Sequence, residues 1–324
     1  MFPKIPFFIL CFYLIHHTTF AQAIDSQASF REMSTNRYVR LHYDNDYFST
    51  SDIYYTQGGN LEVVAPSLKE FPLSKLLIIG KENRHFGLAI EHNAYTPTSI
   101  SHSEILFGDR PFAAALFLKT FSTSSNSTKR LRITSGLSTG IIGQAAGAHW
   151  IQETIHRWIG DTNPQGWNNQ IQNDVVLNYE VSVEKNLFHL QNYLLLNGFA
   201  STRVGTLSDK FSTGALFMLG KINPVITSVF SEQQVKSEKF NFHLYFQPVV
   251  NTILYDATLQ GGMFRNSPYT LSFDEVNHFT FQGNAGIVFY INSIYLEYFQ
   301  SYITQEFNSG ADHHWGGIRI GVNF

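Results

Sequence analysis

Two polar side chains one helical turn apart stand out in a segment whose periodicity differs from the rest of the chain. Gln152 and His156 are four residues apart, so a helix over about residues 145–160 would place both on one face. Three isoleucines spaced by four form an adjacent apolar stripe, at Ile151, Ile155 and Ile159. We expect the apolar stripe to dock and the imidazole to stay available. The helix is therefore a candidate catalytic element, since an imidazole can exchange protons near pH 7, and the alternative for His156 is a structural surface histidine, one of thirteen in the chain.

Oxygen-bearing side chains cluster where two neighbouring strands are predicted to meet. Asn45 and Asp46 end the first strand, and Thr56 follows the start of the second. Carboxylate, amide and hydroxyl oxygens are the ligands that a hard cation such as Ca²⁺ prefers. The same residue types also make ordinary strand ends and turns. Both interpretations stay open on these residues alone.

The N-terminus is typical of a secretory signal peptide. Lys4 precedes an apolar run, and the segment closes on an Ala-x-Ala site ending at Ala23. Removal of residues 1–23 would take away Cys11, the single cysteine, so metal binding by thiolate is excluded in the mature chain. Residues 24–324 then form one domain with 21 basic and 25 acidic residues, and nothing indicates a nucleic-acid partner.

Strict alternation of apolar and polar residues predicts a β-barrel that spans a membrane. The last eight residues place Ile318, Ile320, Val322 and Phe324 on one face and Arg319 on the other. We expect an all-β fold, an antiparallel barrel of about twelve strands. The predicted strands start near Arg37, Tyr54, Asn83, Pro111, Thr128, Ile171, His189, Phe211, Lys239, His278, Ser293 and His313. A turn at Lys185-Asn186 is expected to end the sixth strand. Aromatic residues near strand ends are expected to form interfacial girdles, namely Tyr54-Tyr55, Tyr295 with Tyr298, and Trp315.

Six short motifs occur in order along most of the chain. They are Asn45-Asp46, Tyr55-Thr56-x-Gly58, Tyr95-x-Pro97, Gly108-Asp109-Arg110-Pro111-Phe112, Gly140-Ile141-Ile142-Gly143, and Gln152-x-x-x-His156-x-x-x-Gly160 followed by Trp167-x-x-Gln170. Each is weak alone, but together they resemble the lipid A 3'-O-deacylase family of outer-membrane barrels. The resemblance implies a twelve-stranded barrel of the bacterial outer membrane whose site lies between the wall and a helix from an extracellular loop.

The resemblance also implies a reaction and the residues that perform it. The reaction is hydrolysis of an ester-linked acyl chain of lipopolysaccharide by a monomer that contacts membrane lipids. His156 would activate water, Gln152 would orient substrate or water, and Asn45, Asp46 and Thr56 would hold Ca²⁺ to stabilise the oxyanion. Where the family has a glutamate six residues after the histidine, this chain has Thr162, with Asp161 beside it.

Arg110 has two alternative roles. Arg110 is the basic candidate for binding substrate, because the loop at residues 98–104 has no lysine or arginine. Its alternative role is an inward-facing arginine paired with Asp109 or another wall carboxylate.

A Ser–His hydrolase would need a nucleophile elbow, and we expect none. The non-catalytic alternatives are a porin-like channel and a barrel that binds lipid without cleaving it.

Overall fold

The structure is a computed structural model that describes residue 33 and residues 35–49, 53–228 and 239–324. The predicted signal peptide, residues 1–23, lies outside this described part. No helix within it is long and apolar enough to cross a membrane. Three α-helices occur among the described residues: α1 (Ala148–Ile159), α2 (Pro224–Ser228) and α3 (Ala257–Gln260).

The described residues form a closed barrel of twelve antiparallel strands, which confirms the predicted fold class. Each strand pairs with its neighbours in sequence, and β1 closes the barrel by pairing with β12. The strands are β1 (Tyr38–Asn45), β2 (Tyr54–Val64), β3 (Arg84–Thr96), β4 (Ala113–Asn126), β5 (Leu131–Ile142), β6 (Asp174–Leu190), β7 (Leu194–Gly205), β8 (Ser208–Lys221), β9 (Phe240–Asp256), β10 (Phe279–Ile291), β11 (Ile294–Ile303) and β12 (His313–Asn323). Closure removes every free strand edge from this sheet.

The two faces of the wall follow the alternation read from the sequence. On β12, Ile318, Ile320 and Val322 are on the outside, whereas Arg319 is buried inside. β6 repeats the pattern, with apolar residues outward and Glu180 inward. Successive side chains of a strand point to opposite faces, so this arrangement is set by local backbone geometry.

One predicted turn was wrong. β6 continues through Lys185 and Asn186 to Leu190, and the tight turn comes at residues 191–193. A register shift between Asn186 and Phe188 accommodates the irregularity within the strand. The Asn186 amide donates to the carbonyl of Phe188 at 3.1 Å and to Asn197 Oδ1 at 2.8 Å. The asparagine therefore bridges a bulge instead of starting a turn.

The barrel interior is filled by aromatic rings and paired charges. Tyr54, Tyr55, Tyr295 and Trp315 are each at most 3% exposed, so the predicted girdle role is wrong for them, although Tyr298 does face outward. Inward-facing charges pair between neighbouring strands, as Arg40–Glu62 at 2.8 Å, Arg203–Glu180 at 2.7 Å and Arg319–Glu297 at 2.5 Å, and Lys119 of β4 reaches past β5 to Glu180 of β6. Such pairing is what allows charges inside a barrel wall.

The two ends of the barrel differ in the length of their connections. At one end lie tight turns at residues 127–130, 191–193 and 292–293, together with the longer connection 65–83. At the other end lie the long connections 97–112, 143–173 and 257–278, the connection 304–312 and the short connection 206–207. In outer-membrane barrels the short turns face the periplasm and the long loops face outward from the cell. α1 belongs to the long-loop end.

Candidate functional site on the outer wall

Helix α1 has defined ends. Gly147 precedes it with φ 79°, and Gly160 follows it with φ 75°, both in the left-handed region that a side chain disfavours. The N–H of Gly160 bonds the carbonyl of His156, and the N–H of Asp161 bonds the same carbonyl at 2.9 Å. The helix therefore matches the predicted range of about 145–160, with a 3₁₀ turn at Gln144–Ala146 ahead of it.

α1 docks on the outside of the barrel wall. Ala94 on β3 and Ala114 on β4 alternate with Tyr95 and with Ala113 and Ala115, which belong to the interior core. These two outward alanines pack with Ala146 and Ala148 at the start of the helix segment and with Trp167 of the later 3₁₀ turn Gly166–Asn169. Small side chains at outward positions let the helix approach the strands closely. The site is therefore lateral, on the surface that faces the membrane.

The buried face of α1 is not the one we expected. Gln152 is 2% exposed and His156 is 9% exposed, whereas Ile159 of the apolar stripe is 64% exposed. Trp150 and Trp158 are more exposed still, at 71% and 81%. Ile151 and Ile155 are half-buried, so the stripe docks only in part, and the expectation that the imidazole stays available on a free face is wrong. An amphipathic helix at a bilayer turns its polar face inward and its tryptophans toward lipid.

A backbone carbonyl holds the His156 ring. Nδ1 of His156 lies 2.6 Å from the carbonyl oxygen of Thr162. A carbonyl oxygen only accepts, so Nδ1 carries the proton and the neutral ring keeps its lone pair on Nε2. Asp161 fixes the supporting turn, since its carboxylate accepts from the N–H of Thr162 at 2.6 Å. A peptide carbonyl thus occupies the role for which the motif comparison suggested an acid.

Gln152 is oriented by a tryptophan. The indole N–H of Trp167 donates to Oε1 of Gln152 at 2.7 Å, and the Trp167 ring lies 4.9 Å from the ring of Phe112. His149 of α1 stacks on the same indole at 6.2 Å. With Oε1 committed, the amide Nε2 of Gln152 is buried without a hydrogen-bond partner among the described residues. Gln152 therefore presents a donor on the same helix face as His156.

The predicted cation ligands lie together at the long-loop end of β1 and β2. Asn45 follows the inward Asp44, so it faces outward, and its amide donates to the carbonyl of Thr56 at 2.5 Å. The hydroxyl of Thr56 lies 2.7 Å from the hydroxyl of Thr96 on β3. Asp46, 4% exposed, opens the 3₁₀ turn Asp46–Ser49 directly after β1.

The donor set fits a hard cation. It offers one carboxylate (Asp46), one amide oxygen (Asn45) and one hydroxyl (Thr56). The Asn45 oxygen accepts a hydrogen bond from the N–H of Tyr47 at 2.7 Å. Ca²⁺ takes six to eight oxygens and readily completes its shell with backbone carbonyls and water. Within the described residues, no group of three His, Cys, Asp or Glu side chains is arranged as a metal site. A softer metal would have few suitable ligands here.

The outward face of β3 connects the two groups. Thr96 contacts Thr56, Ala94 packs under α1, and His92 Nε2 lies 3.1 Å from the carbonyl of Ala146. These three residues are two apart along one strand and so share its outer face. The candidate base and the candidate cation ligands are therefore placed on the same side of the wall.

Arg110 lies on the other side of the wall. Its guanidinium is 1% exposed and donates to Glu306 Oε2 at 2.5 Å and to Thr258 Oγ1 at 2.7 Å. It also sits 4.3 Å over the inward-facing ring of Tyr95. Asp109 instead accepts from the backbone N–H of Arg110 at 2.7 Å. These contacts favour the wall-pairing interpretation, with Glu306 as the partner, while substrate binding by Arg110 stays a prediction.

We expect Arg110→Met to destabilise the barrel by about 3–5 kcal/mol, because Glu306 would be left buried without its cation. The double change Arg110→Met with Glu306→Gln should recover most of that loss. The measurement is the temperature at which the folded, fast-migrating gel band converts to the unfolded one. An unchanged conversion temperature together with a raised KM would instead make Arg110 a substrate-binding residue.

A serine nucleophile receives no support. The segment Gly136-Leu137-Ser138-Thr139-Gly140 has the Gly-x-Ser-x-Gly spacing, but it lies in the middle of β5. Ser138 is 6% exposed and is registered with Asn178 of β6. A nucleophile elbow requires a sharp turn between a strand and a helix. The structure has no such turn at this motif.

Sequence reasoning missed the residues that support the site. Trp167 belongs to the motif Trp167-x-x-Gln170 but had no assigned role, and Thr96 is the unspecified residue of Tyr95-x-Pro97. The carbonyl of Thr162 is a backbone group, so no side chain marks it in the sequence. The available signal was Ala94 and Ala114, small residues at outward strand positions where a lipid-facing wall usually carries large aliphatic ones.

Fold and site together define a class: an integral β-barrel of the bacterial outer membrane with a polar site on its lateral surface. The model of the family "Outer membrane protein LpxR" matches residues 7–324. The chain therefore belongs to the LpxR family, which confirms the family resemblance of its motifs. A search of curated proteins gave no match.

The fold is that of one solved structure in particular. LpxR from Salmonella typhimurium is similar with a TM-score of 0.74 and 19% sequence identity, over 89% of this chain and 100% of that one. The β domain of the Bordetella autotransporter BrkA is less similar, with a TM-score of 0.43 and 8% identity over 89% of this chain and 99% of that one.

Proposed function

We propose that the protein is an outer-membrane esterase that hydrolyses an ester-linked acyl chain of lipid A, with water activated by His156. The observation that carries the proposal is the contact of His156 Nδ1 with the Thr162 carbonyl, at 2.6 Å. That contact leaves Nε2 as the basic atom of a ring held at the barrel wall. Membership of the LpxR family supports the choice of reaction.

In the proposed reaction, His156 Nε2 takes a proton from a water molecule whose oxygen attacks the acyl carbonyl carbon. The ester C–O bond then breaks, and the imidazolium returns the proton to the departing sugar oxygen. Gln152 donates from Nε2 to the carbonyl or to the water, because Trp167 occupies its Oε1. General-base assistance of this kind is typically worth about 10²–10⁴ in rate.

Asn45, Asp46 and Thr56 are the residues that would hold Ca²⁺. When bound, the cation supplies positive charge to the oxygen on which negative charge develops. Thr96 positions Thr56 through the 2.7 Å hydroxyl contact, and Asn45 bridges the two strands by bonding the Thr56 carbonyl. These contacts hold Asn45 and Thr56 together, and Asp46 directly follows Asn45 in the chain.

A lateral site suits a substrate that stays in the membrane. The exposed Trp150 and Trp158 support a position of α1 at the level of the lipid headgroups. A lipid would then reach His156 by sliding sideways along the wall, without leaving the outer leaflet. All proposed site residues belong to one chain, which supports a monomer as the acting unit.

The experiment is release of fatty acid from purified lipopolysaccharide by the folded protein in detergent. We expect release with calcium present and none after chelation, followed by recovery when calcium is restored. Phospholipid serves as the second substrate. A folded barrel that releases no fatty acid from either lipid, with calcium, contradicts the proposal.

The non-catalytic alternatives make different predictions. A porin-like channel needs an open interior, whereas inward-facing rings such as Tyr295 and Trp315 are buried inside the barrel and inward charges such as Arg40–Glu62 pair along its wall. A barrel that only binds lipid would retain lipopolysaccharide without releasing fatty acid. The release assay and a conductance measurement in planar bilayers therefore separate the three functions.

A further inference from the structure

A second segment of the chain covers the outer wall of the barrel below α1. The connection between β2 and β3, residues 65–83, contains two 3₁₀ helices and then runs across the outside of the barrel. Its residues 76–80, here called the strap, bond outward-facing side chains of three strands. The contacts are Gly80 N–H to Ser124 Oγ at 2.8 Å, Ser135 Oγ to the Ile78 carbonyl at 2.6 Å, Ile78 N–H to Tyr179 Oη at 2.8 Å, and Tyr179 Oη to the Leu76 carbonyl at 3.0 Å.

The strap hides a polar stretch of the outer wall. Thr120 and Ser122 of β4 point outward, since they alternate with the inward Lys119, yet both are completely buried. Their hydroxyls have no hydrogen-bond partner among the described residues. An exposed polar stretch of this kind would be unfavourable in hydrocarbon. A strap anchored by hydrogen bonds on β4, β5 and β6 keeps it away from lipid.

Between α1 and the strap lies a bounded apolar window. It consists of outward aliphatic residues of β3 and β4, namely Leu88, Ile90, Leu116 and Leu118, of which Ile90 is 53% exposed. The alanines under α1 limit it above, and the strap over Thr120 limits it below. The window is therefore continuous with the candidate site at one end and closed at the other.

The span from the residues under α1 to the residues under the strap, with the window between them, has the depth of one lipid leaflet. From Ala114 to Thr120 the chain of β4 advances six residues, or about 20 Å at about 3.3 Å per residue. With strands tilted by about 40°, this is about 15 Å of depth, which is half of a hydrocarbon core of about 30 Å. An acyl chain whose ester lies at His156 would reach the strap with its methyl end.

We propose that the strap is the floor of an acyl-chain groove and sets which chain length is cleaved. The proposal rests on the esterase function proposed above. The occupant is the acyl chain of the substrate lipid, lying over β3 and β4 from α1 to the strap. A chain longer than the window meets the strap or must bend away, and so loses contacts that a fitting chain keeps.

The test measures kcat/KM for a graded series of acyl-chain lengths on one lipid A headgroup. Leu118→Trp fills the lower window, so the preferred chain should become shorter, with the long-to-short ratio of kcat/KM falling about tenfold. Leu77→Ala removes a buried strap side chain and should shift the preference to longer chains. Heat-modifiable gel migration verifies folding of each variant.

The matched control is Leu254→Trp, the same change at an outward position of β9 that is 65% exposed. It should leave the chain-length profile of the wild type unchanged. An unchanged profile in folded, active Leu118→Trp overturns the groove, and so does an equal shift in Leu254→Trp. Absence of cleavage by the wild type at every chain length contradicts the esterase function instead.

Discussion

Changing His156 to alanine will reduce fatty acid release by about 10²–10⁴, to the background of the assay, with the barrel intact. The physical reason is the loss of Nε2, the atom left basic by the bond from Nδ1 to the Thr162 carbonyl. The substitution removes a ring that is 9% exposed and that bonds a carbonyl of its own connection, Thr162, and it changes no residue of a strand. Release is measured with calcium present, and folding by heat-modifiable migration.

A matched control is available at the same end of the barrel. His102 is an exposed histidine in the connection 97–112, and His102→Ala should release fatty acid at the wild-type rate. Asp161→Ala should release fatty acid at a rate between those of His156→Ala and His102→Ala, since it frees the Thr162 peptide but leaves the imidazole in place. Wild-type release by folded His156→Ala would remove this histidine from the mechanism.

Changing Asp46 to asparagine will raise the calcium concentration needed for half-maximal release by about tenfold or more, because ligand charge sets the affinity of calcium sites. Asp46 is the only carboxylate of the proposed ligand set and is 4% exposed. High calcium should restore most of the activity, since the amide keeps one ligand oxygen. A calcium titration of release gives both quantities.

The control for Asp46 is the same change at an exposed position. Asp274→Asn, in the connection 257–278, also removes one negative charge from the long-loop end and should leave the titration unchanged. A parallel shift in both variants would assign the effect to the general surface potential. An unshifted titration in Asp46→Asn would place the cation elsewhere.

A backbone carbonyl holds the His156 ring where a carboxylate side chain was expected. The motif comparison led us to expect an acid near Thr162, and the structure presents the Thr162 carbonyl at 2.6 Å from Nδ1. Asp161 contributes indirectly, through the N–H of Thr162. A carbonyl is neutral, so it fixes the tautomer of the ring without the charge that a carboxylate would add.

The sequence by itself determined the strands and the faces of the wall. The alternation of Ile318 and Ile320 with Arg319 has a period of two, and local backbone geometry enforces that period in every strand. The order of the strands followed because an antiparallel barrel pairs neighbours along the chain. The position of α1 was also visible, since Gly147 and Gly160 mark its ends. Predicted strand starts lie within five residues of the observed ones, and the largest error came from the Asn186 bulge.

Only the tertiary structure decided which side of each element faces which neighbour. The periodicity of α1 placed Gln152 and His156 on one face but did not say that this face docks, because docking depends on Ala94 and Ala114, far away in sequence. In the same way Arg110 could have faced lipid or lumen, until its contact with Glu306 placed it inside. Period is a property of neighbouring residues, whereas sidedness is set by packing between residues that the chain brings together only on folding.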